Sequence, residues 1–138
     1  TTQSTVTITL RDANNNPVSG TTPTFSVSGL NNTPGVCSVG DATGVSTCTL
    51  RSTRAQVKTL GILTPVVKTN ATTVTFIAGA PSATTTSITG TTPVSADGVS
   101  TSIISITILD AFSNPIAGTT PIFNATDTDT ANTYGACS

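Results

Sequence analysis

Two stretches of sixteen residues constrain this chain more than any other feature: Leu10 to Phe25, reading LRDANNNPVSGTTPTF, and Ile108 to Phe123, reading ILDAFSNPIAGTTPIF. Asp, Ala, Asn, Pro, Gly, Thr, Thr, Pro and Phe hold the same places in both, at a constant spacing of 98 residues. A repeat at domain length is the mark of an array of similar modules. The chain therefore reads as one repeat unit and part of the next, an internal fragment or processed product of something longer.

A module of about 100 residues can bury a modest core. Hydrophobic residues make up 36% of the sequence and charged residues 8%, too few charges for a self-repelling disordered segment. Polarity comes mainly from Thr, Ser and Asn. The β-branched Thr and Val suit a pleated surface, and Gly and Pro recur as turn signals, so an all-β chain is expected. Five basic residues stand against six acidic ones, a net charge of −1. No basic face is available to neutralise phosphates, so nucleic acid is not an expected partner. No apolar stretch approaches the roughly 20 residues that span a bilayer, and no membrane segment is expected within this sequence.

From Ser4 to Leu10 the chain alternates strictly, with Val6, Ile8 and Leu10 on one face and threonines on the other, which predicts a half-buried strand. Asp12 to Gly20 reads as a loop, in which Asp and Asn close turns, Pro17 fixes φ and Gly20 permits positive φ. Thr22 to Ser28 reads as a strand with Phe25 and Val27 inward, Pro23 marking an edge or a first residue. Gly29 to Pro34 reads as a loop. Val36 to Val39 and Val45 to Leu50 form a predicted hairpin around Asp41 to Gly44, with Ser46, Cys48 and Leu50 on one face. Val57 to Val67 reads as a strand interrupted near Gly61 and Pro65, and Thr72 to Ile77 as the last strand of the module.

Ala78 to Pro93 contains a junction, although Thr84 to Thr89 could open the next module. Ile104, Ile106 and Ile108 then repeat Val6, Ile8 and Leu10. The expected division is residues 1–80 as a first module lacking its opening segment, 81–93 as the junction, and 94–138 as the N-terminal part of a second, truncated module. Six or seven short strands in about 100 residues predict an immunoglobulin-like β-sandwich, in tandem, with the second module incomplete.

Asp12-Ala13-Asn14-Asn15-Asn16-Pro17-Val18-Ser19-Gly20, then Thr24-Phe25-Ser26-Val27, Gly44-Val45-Ser46-Thr47 and Val74-Thr75-Phe76 resemble the bacterial Ig-like domain group 1 (Big-1) of intimin/invasin-type adhesins. The second copy adds Ala96-Asp97-Gly98, Asp110, Asn114-Pro115-Ile116 and Gly118. The resemblance implies a sandwich used in tandem as a rigid stalk on the bacterial surface or in a secreted fibre. The implied partners are neighbouring Ig-like modules of the same protein, with self-association into fibres as an extension. A filament subunit or ligand-binding module, its incomplete sandwich finished by strands of another chain, is the alternative.

Cys37 and Cys48 lie at equal distances from the Asp41 to Gly44 turn, so the hairpin would set the two thiols opposite each other. A disulfide closing so short a loop is worth roughly 3 kcal/mol in the chain-entropy model and suits an oxidising, extracellular compartment. Two buried free thiols are the alternative. Cys137 aligns with Cys37 after a two-residue insertion, which leaves it unpaired or with its partner outside the sequence.

Asp12, Asn16, Pro17 and Gly20, with Asp110, Asn114, Pro115 and Gly118, are expected to be structural turns and not calcium ligands, because the loop lacks the Gly and distal Glu of a calcium site. Lys58 and Lys68 could join an isopeptide crosslink, but solvated side chains are the expected reading. Asn31, Asn70 and Asn124 stand in Asn-x-Ser/Thr sequons, frequent by chance in a Thr-rich chain. No cofactor is expected. With no His and no paired carboxylates, no catalytic set appears, and an enzyme is not expected.

Overall fold

The computed structural model of the protein describes residues 3–126 and 132–138. It is all-β, and among the described residues the elements are strands β1 Gln3–Thr9, β2 Thr24–Val27, β3 Asn32–Pro34, β4 Val45–Ser52, β5 Gln56–Thr64, β6 Lys68–Phe76, β7 Ser87–Gly90 and β8 Ile104–Thr107. The chain divides into two compact units, Thr1–Ile77 and Ala78–Ser138.

The first unit is a sandwich of two three-stranded antiparallel sheets, ordered β1-β4-β3 and β2-β5-β6. Alternation in β1 and β4 turns Val6, Ile8, Cys48 and Leu50 inward, while Phe25 of β2 and Leu60 of β5 meet them from the other sheet. Val18, Val27, Ile62, Val74 and Phe76 pack around this centre. The core is built from aliphatic residues, two sulfurs and one aromatic ring.

Several boundaries differ from those read in the sequence. Asn32–Pro34, expected in a loop, is a short strand that pairs with β4 through Asn32 and Ser52, Thr33 and Arg51, and Pro34 and Leu50. Three residues ending in proline carry no alternation; their extended form comes from the partner strand. Val36 to Val39 runs beside β4 without joining its ladder. Ser38 donates its N–H to the Thr47 carbonyl (2.8 Å) and Gly35 to that of Thr49 (2.7 Å). Two residues, Val36 and Cys37, thus separate Gly35 from Ser38 where only Cys48 separates Thr49 from Thr47. Val36 is the extra residue, bulged outward and 90% exposed. β6 begins at Lys68, not Thr72, and carries Asn70 at φ 49°. It is mostly exposed, so it did not need the apolar alternation that marks a half-buried strand.

Gly44 closes the β4 end of the hairpin turn at φ 77°, and a Cβ there would run into the Leu10 carbonyl oxygen and the Val18 nitrogen. That close approach lets Leu10 donate its N–H to the Gly44 carbonyl (2.9 Å), tying the end of β1 to the start of β4.

The second unit pairs β7 with β8 antiparallel, Ser87 opposite Thr107 and Gly90 opposite Ile104. β8 occupies the repeat position of β1, 98 residues on. Among the described residues each of the two strands has one ladder partner, β7 for β8 and β4 for β1. Exposure differs: Val6 is 8% exposed and its counterpart Ile104 36%.

Candidate functional site

Cys37 and Cys48 form a disulfide with a Cα–Cα separation of 4.0 Å. The flanking Ser38 and Thr47 are hydrogen-bonded, so the cysteines occupy the close, non-hydrogen-bonded position where facing side chains lie nearest. Cys48 also stands opposite Val6 on β1. The cystine is nearly sealed, with Cys48 0% and Cys37 7% exposed, and it staples the segment before the turn to the central strand of its sheet. Cys137 is a free, half-buried thiol in the second unit.

The sixteen-residue repeat builds the same turn twice. Asp12 Oδ1 accepts the N–H groups of Asn14 (2.9 Å) and Asn16 (2.8 Å), and Oδ2 accepts the Asn16 side-chain amide (3.0 Å). Asp110 Oδ1 accepts from Phe112 (2.8 Å) and Asn114 (2.9 Å), and Oδ2 from the Asn114 amide (2.8 Å). The position before the second Asn has positive φ in both, 66° at Asn15 and 61° at Ser113. The Asn-Pro step then bridges back to the strand end, Pro17 to Arg11 and Pro115 to Leu109. Gly20 and Gly118 follow at φ 72° and 75°.

In this geometry the carboxylate is committed to backbone and amide donors, which is what turn closure needs. Each donor favours the charged form, so both carboxyls are held below the ordinary carboxylate range, chiefly by the side-chain amides of Asn16 and Asn114. Asp97 caps a third turn, taking Ser100 N–H (2.6 Å), Ser100 Oγ (2.7 Å) and Val99 N–H (2.9 Å), which lowers its pKa to about 2. Among the described residues, no group of three or more metal-capable side chains converges.

Lys58 departs from the expected solvated position. It shares the inward phase of β5 with Leu60 and Ile62 and is fully buried. Its Nζ reaches the Leu30 carbonyl oxygen at 2.7 Å and Gln56 Oε1 at 3.2 Å. Burial lowers its pKa, and the nearby Arg54 charge adds to that. The four-carbon stem packs as core while the amine is satisfied at the strand's end. Of the sequon residues, Asn31 and Asn124 lie in loops and Asn70 in β6. Among the described residues no helix is long and apolar enough to cross a membrane.

No family model and no curated protein matches the chain. Among solved structures it is similar to invasin, a bacterial integrin-binding protein, with a TM-score of 0.64 and 27% identity, over 84% of this chain and 24% of that one. It is also similar in fold to FdeC, an Escherichia coli adhesin (TM-score 0.61, 23% identity, 93% of this chain and 43% of that one). Yersinia pseudotuberculosis InvD gives a TM-score of 0.56 and 19% identity, over 81% of this chain and 37% of that one. The chain spans less than half the length of each of these structures. By fold, it is an immunoglobulin-type β-sandwich chain similar to the domains of invasin-type bacterial adhesins.

Proposed function

We propose that this chain is a structural repeat of an extracellular bacterial adhesin or surface fibre, of the Big-1 type, working as a rigid stalk or spacer. The observation that carries this reading is the turn that recurs 98 residues apart with matching hydrogen bonds, in a chain similar to invasin. Such a spacer works mechanically. Sheet hydrogen bonds and the cystine keep the module folded, and serial modules add length. The disulfide favours a location on the cell surface or outside the cell, where thiols stay oxidised.

Small-angle scattering on polypeptides with increasing numbers of complete repeats tests the reading. Maximum dimension should rise by a constant increment per module, on the order of 30 Å, the length of a nine-residue strand such as β5. A dimension that stays flat as modules are added would remove the spacer role. The second reading, a module finished by strands of a neighbouring chain, is favoured by the edge of β8 that no strand ladders among the described residues.

A further inference from the structure

In the first unit β4 is laddered along one edge of β1: Ser4 stands opposite Leu50, Val6 opposite Cys48 and Ile8 opposite Ser46. In the second unit, the corresponding side of β8 borders a groove of about 460 Å³. Ile104, Ile106, Ile108, Ile116, Phe123 and Cys137 line it. Their repeat counterparts are Val6, Ile8, Leu10, Val18, Phe25 and Cys37, all of which lie in or pack against the core of the first unit. The groove is thus lined by the counterparts of β1 and of residues 35–38, the two segments that bond β4 in the first unit. No Lys or Arg follows Lys68 in the sequence, so this edge lacks the cationic side chains that commonly guard exposed strands.

We propose that the groove is an acceptor site for one extended strand of β4 chemistry, with a small residue, a cysteine and a leucine at successive inward positions. The strand runs antiparallel to β8, and its cysteine bonds to Cys137. The proposal rests on the repeat equivalence that also underlies the spacer reading. The β1–β4 register carries over: the donor cysteine faces Ile104, its small inward residue faces Ile106 and its leucine faces Ser102. Main-chain bonding to the open edge supplies affinity, and the alternate side chains supply register. The covalent step is thiol–disulfide exchange. The Cys137 thiolate attacks the donor cysteine sulfur of a mixed disulfide, a new S–S bond forms, and the former partner leaves as a thiolate.

The test uses the whole chain and a peptide of residues 43–54, TGVSTCTLRSTR, its cysteine held as a mixed disulfide with thionitrobenzoate. Release of thionitrobenzoate should be at least about tenfold faster than with a scrambled peptide of the same composition, because docking raises the local concentration of the reacting sulfur. Cys137→Ala should abolish the release while the intact peptide still slows amide exchange in β8. Equal rates for the two peptides would overturn the strand site. So would a stable dimer, seen by sedimentation, that blocks the peptide, since it would show the groove to be a contact between copies. Either result, with scattering increments intact, would leave the spacer reading standing.

Discussion

The turns at Asp12 and Asp110 match bond for bond, yet Asp12 and Asn16 are exposed while Asp110 and Asn114 are each only 3% exposed. Beside the second turn lies the segment at residues 79–81. Gly79 donates its N–H to Asp110 Oδ2 at 2.8 Å, and Pro81 bridges to Asp110. The bonds within each turn run between residues at most four apart, so the turn is local chemistry. Burial is set by what lies next to it. The same lesson holds for β1 and β8: one alternation, buried in the core of one unit and half open in the other.

The sharpest break between the two units is expected in their cores. Leu50→Ala, at a fully buried position on β4, should cost the first unit about 2–5 kcal/mol in denaturant unfolding. Ile106→Ala, on the open groove, should cost less than about half as much, because the groove leaves less packing to lose. Matching losses would show that the second unit packs as tightly as the first. Reduction of the Cys37–Cys48 bond comes next, at about 3 kcal/mol, confined to the first unit when unfolding is followed residue by residue.

Gly20→Ala and Gly118→Ala should each cost roughly 1 kcal/mol, since both sit at positive φ with open space around the new Cβ. Thermal melts that give unequal losses would break the equivalence of the two turns.

Protonation separates them further. Each carboxyl has a folded pKa below its unfolded value, so its stabilising contribution is complete above the unfolded carboxylate range. That contribution is lost as pH falls through the folded pKa. Carbon-13 titration should place Asp110 below Asp12, and Asp110→Asn should accelerate exchange at the Gly79 amide while Asp12→Asn leaves it unchanged. Coincident titrations would show that the Gly79 bond adds nothing.

The smallest effect concerns Lys58. Its folded pKa is lowered, so the unfolded chain binds more protons in the window just below the ordinary lysine range, and stability of the first unit should rise with pH there. Lys58→Met should flatten that rise in urea titrations across alkaline pH. An unchanged rise would assign it to another group.

Much of the fold was legible because it rests on short-range pattern. The alternation from Ser4 to Leu10 is β1, and the placement of two cysteines about the Asp41 to Gly44 turn is the observed disulfide. What was not legible depends on distant partners. β3 exists because β4 offers a hydrogen-bonding edge to Asn32–Pro34. Lys58 is buried because it falls in phase with Leu60 and finds the Leu30 carbonyl 28 residues away. The burial of Asp110 required Gly79, 31 residues earlier and absent from the repeated sixteen residues. The groove beside Cys137 joins side chains from Ile104 to Cys137, too far apart in sequence for a local pattern to show.

Residue-resolved hydrogen exchange tests most directly whether the edge of the repeated strand that β4 closes in the first unit is open in the second. The amides of β1 that bond to β4 should exchange at least about a hundredfold more slowly than their counterparts 98 residues on in β8. Equal protection of the two strands would contradict the account.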